Sequence, residues 1–391
     1  MNYDEIIGKT AHSIPPSGIR RFFGIVEEDP DAISLGVGEP DFVTPWEIRD
    51  AAIKSLQKGY TAYTSNSGLK RLREEISEYL FSRFNAKYSP DEVMVTIGAS
   101  EAIDLSLRAL LNAGEEVLVP DPSYVSYCPA IALAGGVAVP VACSPENGLK
   151  PTPQAVEAAI TKKTKAVILP YPNNPTGAVL NKAELEAICA VIKKHNLIAI
   201  SDEIYAELTY SGRHVSVAAL DGMAERTVLI SGFSKAFAMT GWRVGYVCAP
   251  AEILGAMLKI HQYTIMCAPT MSQYAALAAL VTGKESGFAA VEEMRDKYDM
   301  RRRFVVNAFN EMGLQCSEPS GAFYAFPSVK SLGLTGEQFA EQLLREKHVA
   351  VVPGDAFGAA GKEHVRCSYA TGMAQLSEAM KRIGEFVASR K

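Results

Sequence analysis

Apolar residues recur along this chain in two alternating rhythms. Short runs of apolar, often β-branched residues are followed by longer stretches with an apolar side chain every three or four positions. The runs Val93–Ile97, Glu116–Pro120, Ala166–Pro170, Leu197–Ser201, Thr227–Ser231 and Val244–Ala249 predict strands. Several are almost continuously apolar, as strands buried on both faces are. Between them, Leu69, Leu72, Ile76 and Leu80 form one apolar face of a helix over Gly68–Phe84. Ile103, Leu107, Leu110 and Leu111 do the same over Glu101–Asn112, and Leu185, Ile188 and Ile192 over Lys182–His195. This alternation predicts an α/β fold, a mostly parallel sheet with helices on both faces. Sites in such sheets lie outside the carboxyl ends of the strands.

The last third follows a different order. A long charged helix over Ser286–Met312 precedes a strand-like Gly321–Phe326. A helix over Thr335–Lys347, strands at Val349–Pro353 and Val365–Tyr369 and a closing helix over Ala374–Ser389 complete it. That is the pattern of a smaller α+β domain. We expect a large domain over 45–285, a small C-terminal domain over 286–391, and an N-terminal arm over 1–44 that joins the small domain.

Composition adds mainly exclusions. The chain has 391 residues, a net charge of −5 and an apolar share of 48%, enough for a large core. No basic run points to nucleic acid or an anionic membrane. The most apolar run, Ala130–Ala142, is too short for a membrane span and is broken by Gly135, Gly136 and Pro140. Met1–Thr10 lacks the apolar stretch of a secretory signal. The seven cysteines are scattered and odd in number, as in a cytoplasmic protein with reduced thiols. The six histidines show no zinc-ligand spacing, so no metal is expected.

The chemistry centres on Lys235, among small residues just past the strand Thr227–Ser231, with Arg243 eight positions on. A lysine in isolation is a surface residue. Here its setting suits an amine that forms an imine with the aldehyde of pyridoxal 5'-phosphate, with Arg243 pairing the phosphate. Asp202 ends the apolar run Leu197–Ser201. It reads as a loop carboxylate or as an anion facing a pyridine nitrogen, whose protonated state it favours. Tyr205 is a core tyrosine or a donor to the cofactor's phenolic oxygen. Asn174, in the turn Tyr171–Gly177, reaches the same oxygen if the turn sits at a strand end.

Gly98, Ala99 and Ser100 open a helix after the strand Val93–Ile97, where backbone N–H groups can grip a phosphate. Ser100 is equally a plain helix cap. Ser231 and Ser234 are further candidates for the phosphate, and Tyr124 is a turn tyrosine or a ring that stacks on the cofactor. Arg366 alternates within Val365–Ala370 and reads as a surface ion pair or as a buried clamp for an α-carboxylate. A backbone N–H at Gly38, in the loop Gly36–Phe42, is placed to help it.

Taken together these motifs resemble the class I/II (aspartate aminotransferase-like) aminotransferases, which are pyridoxal-phosphate enzymes of fold type I. The resemblance runs from Ser17-Gly18-Ile19-Arg20 to Arg366. It implies that Lys235 holds the cofactor and shuttles the proton, that Asp202 pairs the pyridine nitrogen, and that Asn174 and Tyr205 contact the phenolic oxygen. Gly98, Ala99, Ser100, Ser234 and Arg243 would hold the phosphate, Tyr124 would flank the ring, and Arg366 with Gly38 would take the α-carboxylate. Tyr63 matches a tyrosine that reaches the phosphate of the neighbouring subunit, which implies a homodimer with shared sites. The best-known aspartate enzymes carry a serine three residues before the lysine. Gly232 stands there in this chain, which leaves open whether Ser231 or Ser234 meets the phosphate. The wording around Lys235 and His261-Gln262-Tyr263 is similar to a prokaryotic subgroup with aspartate, aromatic and acetyl-diaminopimelate aminotransferases.

The expected reaction is transfer of an L-amino acid's α-amino group to a 2-oxo acid such as 2-oxoglutarate, with aspartate- or aromatic-type specificity. Two other readings compete. One keeps the cofactor but performs elimination, as a β-lyase or a 1-aminocyclopropane-1-carboxylate synthase-like enzyme does. The other is a non-catalytic sensing domain of a transcription regulator, which calls for a DNA-binding module ahead of this domain. No motif fixes the side-chain pocket; Val37, Arg108 and Tyr263 are candidates.

Overall fold

The computed structural model describes residues 1–16, 18, 29 and 31–391. The resemblance noted at Ser17, Ile19 and Arg20 therefore lies outside the described residues. A seven-stranded sheet forms the centre: β1 (Val93–Thr96), β2 (Glu116–Asp121), β3 (Val137–Ala142), β4 (Thr164–Leu169), β5 (Ile198–Asp202), β6 (Thr227–Gly232) and β7 (Gly245–Cys248). Their spatial order is β1-β7-β6-β5-β4-β2-β3. Only β7 runs antiparallel to its neighbours, β1 and β6. The carboxyl ends of β1, β2, β4, β5 and β6 therefore share one edge, where β7 begins.

The apolar runs account for this sheet. In β4, Ala166 and Ile168 pack with Ile103 and Leu107 on one side, while Val167 and Leu169 pack with Leu185, Ile188 and Ile192 on the other. Period-two alternation thus feeds two cores, and helices cover both faces. The helices Lys70–Phe84, Gly98–Leu110 and Lys182–Lys194 fall where their periodicity placed them. Helices Trp46–Gln57, Ala251–Thr264 and Thr270–Glu285 complete the layers.

β3 was not among the expected strands, because the preceding glycines and Pro140 read as breakers. It is an edge strand that pairs only with β2, so a residue without an N–H fits on its free side.

The last third supplies most of a further core around Phe309, Phe323, Phe339, Val365, Cys367 and Phe386, which also takes in Leu35, Tyr205 and Leu208. Tyr324–Ala325, Val352–Pro353 and Val365–Ser368 make a small antiparallel sheet there. The N-terminal arm joins it: Ile33–Ser34 pairs in parallel with Val349–Ala350, and the Ser368 N–H donates to the Leu35 carbonyl at 2.7 Å. Among the described residues, no helix is long and apolar enough to cross a membrane.

Candidate active site

A cavity of about 350 Å³ opens at the shared carboxyl edge, between the sheet and the C-terminal core. Its walls include Gly38, Ala99, Ser100, Tyr124, Asn174, Asp202, Tyr205, Ser234, Lys235, Arg243 and Arg366, all singled out from sequence. Chain segments more than 300 residues apart in sequence, from Gly38 to Arg366, thus converge on one space.

Lys235 follows the end of β6 and is half-buried. Its Nζ donates to the Gly38 carbonyl at 2.6 Å and lies 5.9 Å from the Tyr205 ring centre. Burial pulls its pKa down to about 8, Glu39 opposing and Arg366 and Arg243 assisting. The amine is therefore far closer to neutrality than an ordinary lysine.

Asp202 is the last residue of β5 and is buried. Alternation turns Ser201 and Glu203 away from the cavity: Ser201 Oγ, Ser216 Oγ and His214 Nε2 all bond the Glu203 carboxylate. Asp202 turns inward. Its Oδ2 accepts from the Tyr127 hydroxyl at 2.8 Å and its Oδ1 from the Ile204 N–H at 3.2 Å. Burial raises its pKa to about 6, with the Tyr127 and Ile204 bonds opposing. A buried carboxylate this poorly neutralised favours a cationic partner in the cavity.

The Tyr205 hydroxyl is 2.8 Å from the Tyr324 hydroxyl, and burial keeps its pKa well above the ordinary tyrosine value. It remains a neutral phenol able to donate. Tyr124 lines the cavity with its ring edge-on to Tyr127, centres 5.6 Å apart.

Arg366 is 2% exposed, yet among the described residues no carboxylate pairs with it. Its Nη1 donates to Asn174 Oδ1 at 2.9 Å and its Nη2 to the Gly36 carbonyl at 2.5 Å. Its Nε has no partner. The guanidinium lies 4.5 Å from the Tyr324 ring centre and 4.8 Å from that of Phe357. Desolvation lowers its pKa. A buried cation with an unused donor is set up for an incoming carboxylate. The loop from Gly36 to Gly38 thus accepts from both Arg366 and Lys235. It is tied to the lysine segment through Thr240 Oγ1 to Glu39 and Trp242 Nε1 to Thr44.

The anion-binding end forms where β1 meets the helix Gly98–Leu110. Gly98 has φ +72°, and a Cβ there would stand 2.7 Å from Arg243 Nη2. A Cβ on Gly245 would stand 2.7 Å from the Gly98 carbonyl carbon. Only glycines let the guanidinium, the helix start and β7 approach this closely. The result is a cradle of free helix N–H groups beside an arginine, which suits a phosphate.

Three sequence candidates stand outside the cavity wall. Ser231 is still within β6, and its hydroxyl donates to the Glu203 carbonyl at 3.3 Å rather than lining the cavity. Ser234 does line it. Tyr63 is 80% exposed and outside the cavity of its own chain. Gly98 sits behind the wall rather than in it. Sequence reasoning missed Tyr127, Tyr324 and Thr240, which all line the cavity. Tyr127 stands three residues after Tyr124, a spacing that puts both on one side of a turn; Tyr324 lies in a strand read only for its apolar pattern.

One cavity in an α/β fold thus gathers an amine of lowered pKa, a buried carboxylate and a buried guanidinium with an unused donor. Comparison with known proteins agrees. The model for aminotransferase class I and II matches residues 30–383. An aspartate aminotransferase of Pyrococcus abyssi is 48% identical over 380 residues, covering 97% of each chain. The aromatic-amino-acid aminotransferase 2 of Thermococcus litoralis is 44% identical over 380 residues, also 97% of each. The solved structure of Thermus thermophilus aspartate aminotransferase with maleate superimposes with a TM-score of 0.93 at 38% identity, covering 97% of this chain and 99% of that one. The chain belongs to the class I and II aminotransferase family. It is a transaminase that uses pyridoxal phosphate.

Proposed function

We propose that this enzyme moves the α-amino group of an L-amino acid of aspartate or aromatic type to 2-oxoglutarate, and that the cavity residues above do the work. The names of the relatives support the donor class. The observation that carries the assignment is the buried Arg366, without a carboxylate partner among the described residues, in the same cavity as the Lys235 amine.

Bound pyridoxal phosphate supplies an aldehyde that exchanges amines and a ring that withdraws electrons from the substrate's α-carbon. Gly98–Ser100, Ser234 and Arg243 would hold its phosphate, Asp202 would pair its ring nitrogen, and Asn174 and Tyr205 would meet its phenolic oxygen. Tyr124, in the cavity wall, would pack on the ring. Arg366 takes the substrate α-carboxylate through its free Nε and one terminal nitrogen, with the Gly38 N–H beside it. Lys235, with its pKa near 8, is unprotonated often enough near neutral pH to act as nucleophile and then to carry a proton from the α-carbon on Nζ. Residues 286–391 with the arm over 1–44 act as a small domain that carries Arg366, and closure over 45–285 excludes water.

Tyr63, exposed in its own chain, completes the phosphate site of a second copy, so the working unit is a homodimer. Seven unpaired cysteines support a cytoplasmic location. An amino-donor panel with 2-oxoglutarate as acceptor tests the reading. Aspartate or aromatic donors should lead, with glutamate as product; release of ammonia and pyruvate without an acceptor would assign elimination instead.

A further inference from the structure

Behind the anion cradle, a buried histidine meets a partly buried glutamate that the mechanism does not use. Glu101 stands in the first turn of the helix Gly98–Leu110. Its Oε2 accepts the Ile97 N–H at 2.5 Å, and its Oε1 meets His261 Nδ1 at 2.7 Å. An ionised carboxylate only accepts, so Nδ1 carries the proton. His261 belongs to the helix Ala251–Thr264, its side chain is fully buried, and its Nε2 has no hydrogen-bond partner. A buried ring nitrogen without a partner is unfavourable, so this position calls for an offsetting role.

The geometry supplies one. A helix start leaves its first N–H groups free for a ligand. Glu101 removes the Ile97 N–H from that set and leaves those of Ala99 and Ser100, which line the cavity. Its charge, however, sits at the end of the helix where an anion must bind, and an unrestrained carboxylate would compete for the same N–H groups. His261 prevents this by holding Oε1 on the far side.

We propose that Glu101 and His261 are positioning residues for the cofactor phosphate: the histidine pins the carboxylate so that the helix start stays open to the anion. This rests on the reading that Gly98–Ser100 and Arg243 hold the phosphate, and the test separates the two.

The full-chain protein, stripped of cofactor, is titrated with pyridoxal phosphate, with pyridoxal, and with inorganic phosphate as competitor. His261→Ala should weaken pyridoxal phosphate and inorganic phosphate by about tenfold, the scale of a partly buried charge at a helix end, and leave pyridoxal unchanged. His261→Phe fills the ring's volume without the donor and carries the same expectation if the alanine variant does not fold. His261→Asn, which keeps a donor near Nδ1, should recover most of the loss. Equal losses for pyridoxal and its phosphate, or no loss at all, would overturn the proposal. Arg243→Ala is the control. It too should lose phosphate-bearing ligands selectively, and if it does not, the phosphate assignment falls and the proposal with it.

Discussion

Replacing Arg366 by alanine removes a buried guanidinium held by Asn174 Oδ1 and the Gly36 carbonyl, with Nε unused. A substrate carboxylate reaching Nε and one shared terminal nitrogen would make two charge-assisted hydrogen bonds. Each is worth about 1.5–3 kcal/mol, so the variant should lose about 3–6 kcal/mol of transition-state stabilisation. At about 1.4 kcal/mol per decade, kcat/KM falls roughly 10²- to 10⁴-fold. Arg366→Lys keeps the charge but not the fork, and should fall between. The assay is steady-state transamination with several donors and acceptors, plus an amine that lacks the α-carboxylate. Every amino acid and oxo acid should suffer together, and the carboxylate-free amine should react as poorly with the variant as with the parent. A loss confined to one substrate would refute the reasoning, because the arginine would then be reading a side chain.

Three further predictions concern the cofactor end. Asp202→Asn keeps the shape and the Tyr127 contact but not the charge, so the cofactor still binds while kcat falls about 10²- to 10³-fold, as for other lost electrostatic contacts; an unimpaired variant would remove the carboxylate from the account. Because the folded pKa of Asp202 is raised from 3.8 to about 6, the cofactor-free folded state binds more protons than the unfolded state between those values. Stability from this group therefore falls as pH rises through that window, and urea midpoints of the Asn variant should lack that slope. Ser234→Ala should weaken cofactor binding by about 1 kcal/mol, near fivefold, while Ser231→Ala, facing the Glu203 carbonyl, should leave it unchanged; fluorescence titration decides between them.

Much of the site was legible because chemistry sat where patterns ended. Asp202 closes an apolar run and Lys235 follows one, so both had to emerge at a sheet edge. Arg366 was legible through alternation between core residues Val365 and Cys367. The limits are equally physical. Ser231 and Ser234 are three residues apart, and only the position where β6 ends shows which one turns into the cavity. Tyr127 and Tyr324 act through hydroxyl contacts to Asp202 and Tyr205, which local sequence does not encode. β3 was hidden by Pro140, since a rule against proline holds for central strands but not for an edge. Glu101 and His261 lie 160 residues apart; their pairing depends on how the helices Gly98–Leu110 and Ala251–Thr264 pack.

The central claim is that Lys235 supplies the amine that bonds the cofactor. Borohydride reduction of the holoenzyme, followed by proteolysis and mass mapping, tests it directly. The reduced cofactor should be found on the peptide that contains Lys235, and the rate of cofactor capture by the stripped protein should rise with pH and level off above about 8. A label on any other lysine, or a capture rate still climbing toward the ordinary lysine value, would contradict the account.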